Sequence, residues 1–585
     1  MARTRNGSKK TSAKEDITLR STASIFKHAD PTLLEEEDKQ KKKQTKDKAV
    51  EVGTDSEPLG SAQDDIDNAG FPFNYLYKFQ DFLNEHVNLL KGVQLLLIGF
   101  FMQLIYLKQD HFDHLKSTLP MICFNCIGMV ACTVLSIVKS KSEKLHVPDF
   151  DYFYCVLIPS LIGIVHFDRN WIIVNCALNY FIVDQMNPIF NMISSVVFFE
   201  IYKEDSKATM DTFQFIQIAA AHFFLSYALN HINDINVHNV ADEDAVEGKR
   251  SLKKSEIQLV CLLVVNILFN HSLIAQALPL QIFQKLLVSF IVTGLFAYPV
   301  YKFIPGLINI ALFGGVFCYL TIYQLNRVVG KNALIWLYEY VENDVEKIYL
   351  VKVWVSSAII VIPLVFLLAN SFSLNVRRKI WHLYVIFALT FSPEILFSEA
   401  QFTLLALLGM IIVFLIIEVL RLNQVSFIGK YLFQVLDKFQ DSKDKQGPMN
   451  LSYIYLLVGV TTPVVYDYLV NGEKTSVIRY IGPITLGVGD TLASVIGRKF
   501  GSIKWKGSEK SAQGTIAFIV GSLIAINVVE YVNADNKNYL PVANWENLFV
   551  SIILAGLLEG TSDLNDNYLI PIFLPAAYEL LNRCY

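Results

Sequence analysis

The sequence predicts an all-α, polytopic integral membrane protein with roughly 15–17 transmembrane helices and a disordered polar tail at its N-terminus. Three observations lead there. Hydrophobic residues make up 53% of the 585 residues, and the mean hydropathy is +0.38. Apolar runs, many near the roughly 20 residues that cross a bilayer, follow one another from residue 92 to residue 582. Residues 1–75 lack that character and carry mixed charge, including Glu35-Glu36-Glu37 and Lys41-Lys42-Lys43. Such a segment buries too little apolar surface to offset chain entropy.

The chain divides into three regions: the tail over 1–75, a multi-span scaffold over 76–370, and a region over 371–585 where polar residues gather. The tail's basic clusters favour the cytosolic side. The first apolar run begins too late for a cleavable signal peptide, so the first spanning helix is expected to act as the insertion signal. The eight cysteines lie mostly inside apolar runs. Cys123 and Cys126 have metal-like spacing but no second ligand pair, and read as small buried hydrophobes. The net charge of −4 decides little, because its distribution matters more than its sum; the apolar runs make the lipid bilayer the expected partner, and no nucleic acid is expected.

The third region opens at Arg377-Arg378-Lys379, with His382 one turn further on. Lys379 and His382, three apart, share one face of a helix. Crossings at 380–396, 401–420, 452–470, 477–495, 514–532 and 547–560 bring four polar segments to the side of the membrane that holds Arg377. These are the start at Arg377, the loop over 421–450 with its Lys and Asp residues, the basic loop over 497–513, and the polar run from Glu559 to Asn567. A carboxylate inside an apolar run, as at Asp490, costs about 2.5–3.5 kcal/mol on insertion scales and is usually functional.

These residues suit an anion and a metal at a membrane surface. Mg²⁺ takes a few carboxylates together with water and phosphate oxygens. Asp490 and Asp566 are placed for that, with Glu559 and Asp563 in reserve and Asn567 as a carbonyl donor. Lys379, Arg498, Lys504, Lys506 and Lys510 supply cations for a phosphate chain. The stretch from Gly507 through Ser511 to Gly514 reads as a phosphate-cradling turn at a helix N-terminus. It lacks the Gly-Lys-Ser/Thr ending of a Walker A loop. Gly487 and Gly489 are expected to let the backbone approach a ligand.

Over 371–585 the sequence resembles the dolichol kinases and their relatives, the polyprenol, phytol and CTP-dependent diacylglycerol kinases. The likeness rests on Arg378-Lys379 with His382, and on Gly487, Gly489, Asp490, Thr491, Ala493, Ser494, Gly497, Arg498 and Gly501. It continues through Lys510-Ser511 with Gly514-Thr515, and Glu559-Gly560 leading to Asp566-Asn567 and Ile570-Pro571. The resemblance implies transfer of the CTP γ-phosphate to dolichol or a similar polyprenol, supporting glycosylation at the endoplasmic reticulum membrane. It also implies that Gly487 to Gly514, including Thr491 and Ser494, bind the nucleotide. Asp490, Asp566 and His382 are the expected catalytic residues.

Phosphatidate cytidylyltransferases also use CTP, but their signature is absent. A secondary transporter would place intramembrane acids along an ion path and would show paired repeats with broken helices. A non-catalytic scaffold leaves the clustered acids and glycines unexplained.

Overall fold

A computed structural model describes residues 89–109, 118–139, 168–182, 187–203, 210–235, 250–301, 303–304, 306–368, 371–372, 374–390, 399–440, 447–505, 510–562 and 565–582. The tail over 1–75, the expected crossing at 154–166 and Lys506 lie outside the described residues.

The chain is an all-α polytopic membrane protein. In order, the helices are α1 (Leu89–Lys108), α2 (Thr118–Lys139), α3 (Arg169–Leu178), α4 (Pro188–Tyr202), α5 (Thr212–Asn233) and α6 (Lys254–Phe269). Then come α7 (Leu278–Tyr301), α8 (Leu307–Val329), α9 (Ala333–Glu342), α10 (Val345–Leu368), α11 (Leu374–Thr390), α12 (Ala400–Leu422) and α13 (Ser426–Leu436). The last are α14 (Ser452–Asn471), α15 (Asp490–Phe500), α16 (Ala512–Val532), α17 (Trp545–Thr561) and α18 (Asp566–Asn582). Among the described residues seven helices are long and apolar enough to cross a bilayer, and four shorter apolar ones accompany them. Expected crossings therefore include pieces too short to span alone. The run at 171–183, for example, forms ten-residue α3 and a 3-10 turn over Asn179–Ile182.

Buried amides knit the N-terminal helices. Asn266 Nδ2 of α6 donates to Asn175 Oδ1 of α3 at 2.8 Å, and Gln258 Nε2 donates to the Leu178 carbonyl at 3.0 Å. In a bilayer the apolar surface gives no discrimination between neighbouring helices, so such bonds and close packing set which faces meet. Phe101 of α1 meets Phe573 of α18 edge-on at 5.2 Å, joining the first described helix to the last.

The expected crossing at 477–495 is not one helix. It breaks into a 3-10 turn over Val477–Tyr480, a π-helical turn over Pro483–Gly489, and α15. Pro483 supplies no backbone N–H, which weakens the ladder at its start. The Asp490 N–H then reaches back five residues to the Thr485 carbonyl. That shift leaves the Leu486 carbonyl out of the α-helical pattern, and His382 meets it. π-turns of this kind occur often at functional sites.

Two buried ion pairs fix the helices around this segment. At one end of α14, Arg479 and Asp467 are both fully buried, with Nε to Oδ2 at 2.7 Å. Arg479 also donates to Thr475 Oγ1 at 2.7 Å and to the Gly472 and Lys474 carbonyls at 3.1 Å. The short parallel strands β1 (Thr475–Ser476) and β2 (Tyr539–Leu540) pair at this end. At the other end, Glu418 of α12 binds Arg421 at 2.6 Å and the Tyr453 hydroxyl at 2.7 Å. It also accepts the Asn450 N–H at 2.7 Å, which ties α12 to the start of α14.

α14 and α18 approach so closely that a Cβ at Gly459 would lie 1.8 Å from the Asn567 carbonyl oxygen. Gly459→Val is therefore expected to push the start of α18 away. Overpacking of this kind costs about 1–3 kcal/mol, and a lower unfolding temperature of the purified protein checks it.

Candidate active site

Five elements bring their polar residues to one end of the bundle. Lys379 lies on α11, Asp490 opens α15, Lys510 precedes α16, and Glu559 and Asp566 lie at the facing ends of α17 and α18. Lys379 Nζ donates to Asp490 Oδ2, with both side chains under one-fifth exposed. His382, one turn along α11 and buried, places Nδ1 3.1 Å from the Leu486 carbonyl and 3.5 Å from Asp490 Oδ2. A carbonyl only accepts, so Nδ1 carries the proton and the neutral ring has its lone pair on Nε2.

The second group centres on Lys510. Its Nζ lies 3.1 Å from Asp566 Oδ2 and 3.2 Å from Glu559 Oε1, and donates to the Glu559 carbonyl at 2.6 Å. Burial pulls the Lys510 pKa down, but Asp566 and Glu559 outweigh it and hold the ammonium above its ordinary value. Asp490 lies near enough for its charge to act on Glu559, so the two groups share one electrostatic neighbourhood. Asp566 is the first residue of a helix, where the helix dipole favours a carboxylate.

The remaining expected residues divide by position. Thr491 sits beside Asp490, and its Oγ1 is buried with no hydrogen-bond partner among the described residues. Ser494 accepts from Arg498 Nη2 at 3.1 Å on the outer side of α15, where Arg498 is exposed. Arg377 donates to the Phe372 carbonyl at 3.0 Å, turning its head toward the preceding loop. Asn567 is buried at the start of α18.

The glycines make room for neighbouring helices. A Cβ at Gly487 would strike Ile386 of α11 at 1.8 Å, and one at Gly489 would meet Ser522 and Phe518 of α16 at 2.7 and 2.9 Å. Their small size lets three helices close around Asp490, so protein rather than ligand occupies that space. Gly497 and Gly514 bring α15 against α16 in the same way.

The two described ends of the basic loop, 503–505 and 510–512, pair with each other. Lys504 pairs with Ser511, the Trp505 N–H bonds to the Lys510 carbonyl at 3.0 Å, and the Ala512 N–H to Ile503 at 2.9 Å. Ser511 caps α16 by accepting the Gly514 N–H at 3.2 Å. Two N–H groups of the first turn thus have protein partners, which differs from an open phosphate cradle. What this pairing places at the site is the Lys510 side chain, while Lys504 stays exposed.

Among the described residues no three of His, Cys, Asp and Glu stand together as a metal cage. Mg²⁺ needs no such cage, since it is commonly held by one or two carboxylates with water and phosphate oxygens. Asp490 and Asp566 are carboxylates that could serve as ligands of that kind.

Sequence reasoning passed over Asp467, Arg479, Glu418 and Arg421. The signal was present, because each is an ionisable residue within or at the end of an apolar run.

The fold and the site together define a class: a polytopic membrane protein whose intramembrane acids converge with lysines at one end of a helical bundle. A family model described as the dolichol kinase N-terminal domain matches residues 41–272. The chain is 29% identical over 442 residues to the dolichol kinase of Saccharomyces cerevisiae, covering 74% of this chain and 78% of that protein. It is 32% identical over 209 residues to a dolichol kinase of Schizosaccharomyces pombe, covering 36% of this chain and 40% of the relative. With the human dolichol kinase it shares 28% over 270 residues, or 43% and 48% of the two chains. Against these last two the match spans less than half of the relative's length. No solved structure matches the chain. Over about three quarters of its length the chain is similar to a dolichol kinase, and its residues 41–272 match that family's N-terminal model.

Proposed function

We propose that the chain phosphorylates the terminal hydroxyl of dolichol with CTP, releasing dolichyl phosphate and CDP at the cytosolic face of the endoplasmic reticulum membrane, in support of protein glycosylation. The observation that carries this reading is the meeting of Lys379–Asp490 with Lys510–Glu559–Asp566 at one end of the bundle. Kinship with the dolichol kinases supplies the acceptor.

Phosphoryl transfer asks little covalent chemistry of a protein and much positioning and charge stabilisation. Lys379 and Lys510 bring two cations to the place where a triphosphate would lie. Bound Mg²⁺, held through Asp490 and Asp566, would offset charge on the phosphate oxygens. The alcohol oxygen bonds to the γ-phosphorus, the bond to the β-bridging oxygen breaks, and CDP leaves. The alcohol proton passes to a carboxylate, and Asp490 is the assigned acceptor. His382, whose Nδ1 meets the Leu486 carbonyl and leaves Nε2 as the basic nitrogen, is the runner-up for that role. Its role here is to hold the π-turn that positions Asp490.

Purified protein incubated with γ-labelled and cytosine-labelled CTP and a panel of lipid alcohols tests the reading. The expected product is a lipid monophosphate carrying only the γ-label, formed best with dolichol. A CDP-lipid would mean cytidylyl transfer instead, and no lipid product would remove the enzymatic reading.

A further inference from the structure

The loop that carries Asp566 is held from the other half of the chain. Glu256 is the third residue of α6 and is 7% exposed. One of its oxygens accepts the Lys253 N–H at 2.9 Å, half of a capping box. The other accepts the Asn565 N–H at 3.3 Å, across 309 residues of sequence. Asn565 in turn accepts the Asn567 N–H on its side chain at 3.0 Å, and so caps α18 one residue before Asp566. Asn567 rests its carbonyl against Gly459 of α14. The backbone on either side of Asp566 is therefore fixed by α6 and by α14. A capping box needs only one acceptor oxygen, and a buried carboxylate is costly to desolvate, so the second contact needs a reason of its own.

We propose that Glu256 is a positioning residue for Asp566, acting through Asn565, and that the N-terminal half thereby completes the site formed by the C-terminal helices. The inference rests on the proposed metal-assisted kinase reading. It assigns Glu256 no contact with substrate. Removing a group that orients a metal-binding carboxylate typically lowers metal affinity or activity by about 10–100-fold.

The test separates positioning from helix capping. In Glu256→Ala both contacts go. Adding Lys253→Ser restores a side-chain cap to α6 but offers nothing to Asn565. Mn²⁺ binding to the full-length purified protein with CTP present, read from free Mn²⁺ by electron paramagnetic resonance, is measured beside thermal stability and turnover. The expected result is that Glu256→Ala weakens Mn²⁺ binding about tenfold or more. The double variant should regain the wild-type unfolding temperature without regaining Mn²⁺ affinity. If Mn²⁺ affinity stays at the wild-type level in Glu256→Ala, or returns with the cap, Glu256 is a capping residue and the proposal falls. Failure of the wild type to phosphorylate any lipid alcohol would overturn the kinase reading instead, a result seen in a separate assay.

Discussion

Asp490→Asn is expected to lower turnover by roughly a thousandfold or more, with the protein still folded and inserted. Asparagine matches aspartate in size, so the packing of Gly489 against Phe518 and Ser522 is kept. What is lost is the negative charge that holds Lys379 and the basic oxygen assigned to the alcohol proton. A neutral amide accepts no proton at physiological pH, and it is a weaker oxygen ligand for Mg²⁺ than a carboxylate. The measurement is the rate of lipid phosphate formation per folded molecule, at saturating CTP and dolichol, beside an unfolding curve. Turnover within about tenfold of wild type would strip Asp490 of this role.

The second large effect is on stability and lies away from the site. Asp467→Ala leaves the Arg479 guanidinium fully buried without its counter-charge. Losing one partner of a buried pair costs about 3–5 kcal/mol, a large share of a typical folding free energy. The neutral acceptors at Thr475, Gly472 and Lys474 remain, yet none carries charge. The unfolding temperature in detergent is expected to drop sharply. Pairing Asp467→Leu with Arg479→Met removes both charges and should recover much of the loss, since an apolar replacement of a buried pair is often tolerated. A single variant as stable as wild type would show that the pair contributes nothing to the fold.

The hydropathy pattern made the fold class legible, and isolated charge in apolar sequence pointed to Asp490. The convergence of Lys379, Asp490, Lys510, Glu559 and Asp566 followed from counting crossings, because a helix that crosses must put its two ends on opposite faces. Register was not legible in this way. Nothing local to Glu256 announces Asn565, and the expected helix at 477–495 hid the π-turn because hydropathy is blind to hydrogen-bond offset. The packing role of Gly487 and Gly489 was hidden for a related reason: absence of a side chain serves a close helix as well as a close ligand. The partner decides which, and only the fold supplies the partner.

Asp467 and Arg479 are twelve residues apart on one hairpin, joined by the turn through Gly472. Each charge is costly to leave alone in hydrocarbon, and each finds its neutraliser within the same short stretch of nascent chain. The hairpin can thus be threaded into the lipid as a self-neutralised unit, before any other helix has arrived to receive it.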